Sequence, residues 1–202
     1  EIAESTKIYL KIDDELVGAI LLKDEAKHGT KEAIQALNSR GIVTKMFTGD
    51  NKKAAKQIAE ELGISEFEAE MLPDQKYSEL EKELEKYKGT NGKVAFVGDG
   101  INDSPVLARA DVGISMGGVG SGSAIEASDI VVMTDSIDRI DCAINISKKT
   151  SKIIKQNLIF SIGVKIIVLV LSVFGVANMW EAVFADVGAT LITVLNSLRI
   201  LK

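Results

Sequence analysis

Leu158 to Ala177 is a run of twenty residues with one charged side chain, Lys165. As a helix rising about 1.5 Å per residue it is roughly 30 Å long, the thickness of a bilayer's hydrocarbon core. After a turn at Asn178-Met179 comes a second apolar stretch, Trp180 to Leu198, with Asp186 near its middle. Lys148, Lys149, Lys152 and Lys155 precede the first stretch, and Arg199 and Lys202 end the second. Basic flanks at both ends place both ends on the cytoplasmic side, with a very short outer loop and Trp180 at the outer interface. The expectation is a membrane hairpin with spans at about 158–177 and 180–198.

Two charges lie inside that hairpin. A Lys or Asp at the bilayer centre costs about 2.5–3.5 kcal/mol, and such residues face a polar pathway or each other. By helical rise Lys165 sits about 10 Å from the inner edge and Asp186 about 18 Å. The lysine stem closes part of that gap. Their placement points to function more than to packing alone.

The rest of the chain has a different character. Net charge is −5 overall. The last 45 residues hold three basic and two acidic side chains, so residues 1–157 carry −6. An acidic soluble part argues against a nucleic-acid partner. One cysteine, Cys142, excludes an internal disulfide and suits a cytosolic setting. The chain starts at Glu1 directly in strand-like sequence and reads as a piece of a longer protein.

Hydrophobic periodicity divides this part into short strands and helices. Strands are expected at Lys7–Ile12, Leu16–Leu22, 42–47, 67–71, 93–97, 112–115 and 130–133. Helices are expected at Lys31–Ser39, 51–62, Pro73 to about Lys88, Ser104–Arg109 and about Ser123–Ala127, with Gly41 and Gly63 as stops. Strands alternating with helices imply a parallel sheet covered on both faces. The charged run Glu79–Lys88 reads as a solvated helix face.

Chemistry concentrates where strands end. Gly98-Asp99-Gly100-Ile101-Asn102-Asp103-Ser104-Pro105-Val106 follows the apolar run Lys93–Val97. Two carboxylates and an amide on a Gly-rich turn suit Mg²⁺, which takes one or two carboxylates plus phosphate oxygens and water. Glycines allow close approach to a ligand, and ligands of open α/β sheets sit beyond the strands' carboxyl ends.

This stretch resembles the GDGxNDxP motif of P-type ATPases in the haloacid-dehalogenase-like superfamily. Thr48-Gly49-Asp50 resembles the family's TGD segment, Pro73-Asp74-Gln75-Lys76 its PxxK segment, and Asp24-Glu25-Ala26-Lys27 its DxxR/K segment. Four strings in register are far more specific than one. The resemblance implies an α/β, Rossmann-like phosphorylation domain at residues 23–145. Before it, residues 1–22 would be the end of a nucleotide-binding domain and a hinge. Residues 146–202 would be the membrane domain.

The resemblance also implies roles. Asp99 would be the direct Mg²⁺ ligand, with Asp103 beside it. Asp103 and Asn102 would orient Asp99 and the phosphate. Thr48 and Lys76 would neutralise the transferring phosphoryl oxygens, and Asp50 would position the Thr48–Gly49 loop. Asp24, Thr48, Gly49, Asp50 and Lys76 would bind the ATP phosphates. Gln156-Asn157, Lys165 and Ala185-Asp186-Val187-Gly188-Ala189-Thr190 resemble the last two membrane helices of the zinc-, cadmium- and lead-exporting subgroup. Asp186 would bind the exported ion and Lys165 would be its counter-charge. A carboxylate suits Zn²⁺ or Cd²⁺ better than Cu⁺.

The implied protein is an ATP-driven exporter of Zn²⁺, Cd²⁺ or Pb²⁺ in the cell membrane, its soluble domain cytoplasmic. The phosphorylated Asp of a D-K-T-G-T string does not occur in these 202 residues. The missing portion would lie before Glu1, and the isolated chain would be inactive. A non-catalytic membrane fragment binding Mg²⁺ or a partner pump is the alternative. A soluble phosphatase of the same superfamily fits less well, given the hairpin and the absent D-x-D. His28 reads as a surface residue, Cys142 as a small buried side chain, Glu181 as solvated, and Gly117–Gly122 as a loop beside the phosphorylation site.

Overall fold

The structure is a computed structural model and describes residues 6–13, 15–22, 26–99, 103–117, 122–134, 136–176 and 178–201. Internal contacts divide the chain into two units, Glu1–Asp141 and Cys142–Lys202.

The first unit opens with an antiparallel hairpin, β1 (Thr6–Ile12) and β2 (Glu15–Leu22). Its apolar side chains Tyr9, Leu10, Ile12, Leu16, Val17 and Ile20 are exposed. Then follow α1 (Thr30–Ser39), β3 (Lys45–Phe47), α2 (Lys52–Leu62), β4 (Glu66–Glu68) and α3 (Pro73–Tyr87). Next come β5 (Ala95–Gly98), α4 (Ser104–Arg109), β6 (Val112–Met116), α5 (Gly122–Ala127) and β7 (Ile130–Val132). Every pairing after the hairpin is parallel, as the alternation requires. Strand β3 pairs with β4, and β5, β6 and β7 pair in that order. No ladder joins β3 to β5 among the described residues.

Strand β3 is shorter than its apolar run 42–47, and the cap of the preceding helix explains it. At the end of α1, Gly41 has φ +77. Its N–H donates to Asn38 O at 2.9 Å, and that of Ile42 to Leu37 O at 3.2 Å. This is a Schellman cap, and it uses the N–H that Ile42 would give to a ladder, so β3 starts at Lys45. Helix α2 is capped at both ends. Asn51 Oδ1 accepts the Ala54 N–H at 2.9 Å, and Gly63 (φ +75) with Ile64 repeats the Schellman pattern. Its buried residues Ala55, Ala59 and Leu62 follow i, i+4, i+7 on one face.

Leu80, Phe96, Val106 and Leu107 form the core, with Phe47, Leu84, Val94, Ala110 and Ala127 against them. The Phe47 and Phe96 rings lie 6.5 Å apart. Strand β6 touches α4 directly: a Cβ on Gly113 would lie 2.5 Å from the Leu107 carbonyl oxygen. Only glycine permits that approach, and it holds α4 hard against the sheet.

The second unit consists of α6 (Asp138–Val173, whose first turn belongs to the first unit), α7 (Met179–Ser197) and a 3₁₀ turn, Leu198–Leu201. Both long helices are long and apolar enough to cross a membrane. The first ends at Val173 rather than at Ala177, because Gly175 (φ +72) and Val176 close it with another Schellman cap. Asn178 caps α7 by accepting the Trp180 N–H at 2.9 Å. Glu181, expected to be merely solvated, returns the bond by accepting the Asn178 N–H at 2.8 Å. Cys142 was expected to be buried and is exposed. It lies about 200° round the helix from buried Ile140.

Candidate functional site

Polar side chains gather at the carboxyl ends of β3 and β5, where open α/β sheets hold ligands. Asp103 is the residue before α4, and its carbonyl accepts the N–H groups of Val106 at 2.9 Å and Leu107 at 2.8 Å. Its carboxylate makes no capping bond. Instead Lys76 Nζ donates to Oδ1 at 3.1 Å and Oδ2 at 3.3 Å. The two side chains are 20% and 11% exposed, so the pair is screened only in part. A Cβ on Gly98 would sit 3.2 Å from Asp103 Oδ2. Glycine at the end of β5 therefore leaves room for that carboxylate.

The loop after β3 is held from two sides. Thr48 Oγ1 donates to Asp50 Oδ2 at 2.7 Å and accepts the Asp50 N–H at 3.1 Å. The exit of β4 clasps the same loop: the Glu70 N–H donates to Asp50 O at 2.8 Å and the Met71 N–H to Thr48 O at 3.0 Å. Glu70 adopts φ +58 to do so, a left-handed conformation costing about 1–2 kcal/mol for a residue with a side chain. The run 67–71 was expected to be a strand; this turn ends β4 at Glu68. A Cβ on Gly49 would meet Met71 O at 3.4 Å. Among the described residues no hydrogen bond joins the Thr48–Asp50 pair to the Lys76–Asp103 pair.

Helix α3 does more than face solvent. Pro73 opens it, Gln75 Oε1 accepts the Leu72 N–H at 2.8 Å, and Lys76 falls in the first turn. Glu83 then accepts from Lys45 of β3 at 3.1 Å, and Glu81 from Arg109 Nη2 of α4 at 3.1 Å. Burial lowers the Lys45 pKa, but the Glu83 hydrogen bond and the charges of Glu83, Glu68 and Glu66 outweigh it, and the net shift is upward. The hydrogen bond that Arg109 donates to Glu81 likewise raises the Arg109 pKa. Two glutamates of the charged run thus fasten the strand and helix that present Thr48 and Asp103. No sequence signal separates them from their solvated neighbours.

In the second unit, Lys165 Nζ lies 3.0 Å from Asp186 Oδ1. The side chains are 67% and 63% exposed, so the hairpin leaves one side of the pair open. Nearer its N-terminal end α6 is clasped to α7. Asn157 Nδ2 donates to Thr193 O at 3.1 Å and Ser197 Oγ at 2.9 Å, and its Oδ1 accepts from Asn196 Nδ2 at 2.8 Å.

Residues 2–111 match the haloacid dehalogenase-like hydrolases. The chain belongs to that family. Within it, the sequence is a portion of a heavy-metal P-type ATPase. It is 48% identical over 198 residues to a cadmium, zinc and cobalt-transporting ATPase of Bacillus subtilis (strain 168), covering 98% of this chain and 28% of the relative. It is 45% identical to a zinc-transporting ATPase of Synechocystis sp., covering 98% of this chain and 27% of the relative. The crystal structure of a zinc-transporting PIB-type ATPase in the E2.Pi state superposes with a TM-score of 0.84 at 36% identity, covering 99% of this chain and 32% of that one. The chain spans under a third of these proteins.

The donor set of this ATPase portion suits Mg²⁺. Asp99, exposed at the end of β5, and Asp103 supply carboxylate oxygens only. Among the described residues no group of three or more His, Cys, Asp or Glu gathers. One or two carboxylates with room for phosphate and water is what Mg²⁺ takes. Asp24 and Asn102 lie outside the described residues, as do 118–121 of the glycine-rich loop.

Proposed function

We propose that this chain is the phosphorylation domain and last membrane hairpin of a pump that exports Zn²⁺, Cd²⁺ or the chemically similar Pb²⁺, driven by ATP through an aspartyl-phosphate. Residues 1–22 are read as the end of a nucleotide-binding domain and hinge, 23–145 as the phosphorylation domain and 146–202 as the membrane domain. The exposed apolar side chains of β1 and β2 fit a hairpin completed by another part of the protein. The soluble part is assigned to the cytoplasm from the basic flanks of the spans.

The observation that carries this reading is a pair of ion pairs, one at each end of the proposed cycle. Lys76, held by Asp103 at the strand ends, presents a fixed cation to phosphoryl oxygens, and electrostatic stabilisation does most of the work in phosphoryl transfer. Asp103 holds that ammonium in place. Asp50 holds Thr48, whose single hydroxyl proton points to Asp50 and must turn to reach a phosphoryl oxygen. Asp99 and Asp103 would hold Mg²⁺, which when bound neutralises phosphate charge. The acceptor aspartate belongs to the part of the pump outside these residues. Asp186 offers the exported ion an oxygen ligand, and Lys165 takes the ion's place as its counter-charge when the ion leaves.

Zn²⁺-dependent ATP hydrolysis by the whole protein in lipid vesicles tests this. Asp186→Ala with Lys165→Met removes both charges, so the hairpin keeps no unpaired ion. This variant is expected to fold and to lose Zn²⁺ stimulation. Wild-type stimulation in the double variant, or none in the unaltered protein, overturns the reading.

A further inference from the structure

The first apolar helix bears, before its membrane-length part, a groove that the proposed transport chemistry does not use. It is shallow, about 470 Å³, and is lined by Ser147, Lys148, Ser151, Lys152, Lys155, Gln156 and Ile159. At 3.6 residues per turn, Lys148, Lys152, Lys155 and Ile159 fall within about 60° of one another around the axis, at i, i+4, i+7 and i+11. Both serines border the same stripe. All seven side chains are exposed, Ile159 at 73%. No Asp or Glu stands three or four positions from any of the three lysines. Like charges four apart on a helix repel, so the stripe is a site of uncompensated positive charge.

The groove changes character along its length. Lys148 and Lys152 stand about 15 and 9 Å along the axis before Leu158, where the apolar stretch begins, and Lys155 about 4.5 Å. The headgroup layer on one side of a bilayer is about 5–8 Å thick. Lysines on a helix lean toward its N-terminus, here away from the hydrocarbon. Cations and hydroxyls thus lie at and below headgroup depth, and Ile159 lies at the start of the hydrocarbon.

Given the reading of α6 as a membrane span, we infer that this groove binds an anionic glycerophospholipid. Its phosphate meets Lys155, Lys152 and the Ser151 hydroxyl, Lys148 adds long-range attraction, and its acyl chain runs over Ile159. A free phosphate or a nucleotide has no use for the apolar end of the groove; a lipid matches both ends.

The test uses the whole pump in nanodiscs of phosphatidylcholine carrying spin-labelled phosphatidylglycerol or spin-labelled phosphatidylcholine, and compares their association with the protein. Each lysine near an anionic surface is worth at most about fivefold. A phosphatidylglycerol preference on the order of tenfold to a hundredfold is therefore expected. Lys148→Gln/Lys152→Gln/Lys155→Gln should abolish most of it, and the corresponding triple arginine variant should keep it. Lys82→Gln/Lys86→Gln, neutralised on α3, should leave it unchanged, and added glycerophosphoglycerol should not compete. No preference in the unaltered pump, a preference surviving the triple Gln change, or equal loss in the α3 control overturns the site. So does loss in the arginine variant or competition by the soluble headgroup. Resistance of the unaltered pump to alkaline extraction reports separately on the spanning reading. Extraction would remove both readings, whereas an extraction-resistant pump without lipid preference removes only this one.

Discussion

The Lys76–Asp103 pair makes a quantitative test of how the site is held. Exposed ion pairs are worth about 0–1 kcal/mol, and removing one partner of a fully buried pair costs about 3–5 kcal/mol. At 20% and 11% exposure, with two contacts of 3.1 and 3.3 Å, this pair lies between those limits. Lys76→Met alone should destabilise the chain by about 2 kcal/mol, because Asp103 is left half-desolvated without its cation. Asp103→Leu alone should cost about as much. The double variant should recover most of the loss, giving a coupling of about 3 kcal/mol in a double-mutant cycle. Pulse proteolysis in urea measures each value on the intact protein. In the same proteins, phosphorylation by ATP should be lost in both single variants and not return in the double, since the cation is still missing. A coupling under about 0.5 kcal/mol would show that solvent screens the pair. Recovered phosphorylation in the double variant would remove Lys76 from the chemistry.

Three further outcomes follow from the packing and the charges. Gly113→Ala forces a Cβ into the Leu107 carbonyl at 2.5 Å. It should cost about 2–3 kcal/mol, read as a lower urea midpoint; an unchanged midpoint refutes the tight α4–β6 contact. Asp111 accepts the Val94 N–H at 3.0 Å and Lys93 Nζ at 3.1 Å, and the Val94 bond above all lowers its pKa. A depressed carboxylate stabilises above its unfolded value of about 4 and loses that contribution as pH falls through the folded value. Asp111→Asn should therefore flatten the fall in urea midpoint below about pH 4, and an unaltered acid limb contradicts this. Asn157→Ala removes three interhelical hydrogen bonds; at about 0.6 kcal/mol each in a membrane, it should cost about 2 kcal/mol in detergent unfolding, and no change would show that the clasp does not hold the helices.

Much of this protein is legible in its residues because the signals are local. Two long apolar runs define α6 and α7, and the alternation of short apolar runs with amphipathic helices requires parallel pairing, which the structure shows for β3–β7. Gly98-Asp99 stands out by residue type at the end of a strand, whereas Thr48-Gly49-Asp50 and Lys76 are picked out by the resemblance of their segments. Counting helical rise leaves Lys165 and Asp186 about 8 Å apart in depth; that the lysine reaches the carboxylate at 3.0 Å is seen only in the folded hairpin.

Tertiary structure decided whatever depends on partners distant in sequence. The start of β3 was set by the N–H that the cap of α1 had already used, and the end of β4 by the turn at Glu70, not by hydrophobicity. Glu81 and Glu83 look like any residue of a charged helix until Arg109 and Lys45 are brought to them. The same holds for Asn157, whose three bonds reach residues 36 to 40 positions away. Asp103 is named by its motif, but only folding turns its carboxylate from the helix N-terminus it could cap to the ammonium of Lys76. Sequence determines which groups a segment offers; packing decides which of them meet, because a hydrogen bond or ion pair extends only about 3 Å while the chain separating its partners runs for tens of residues.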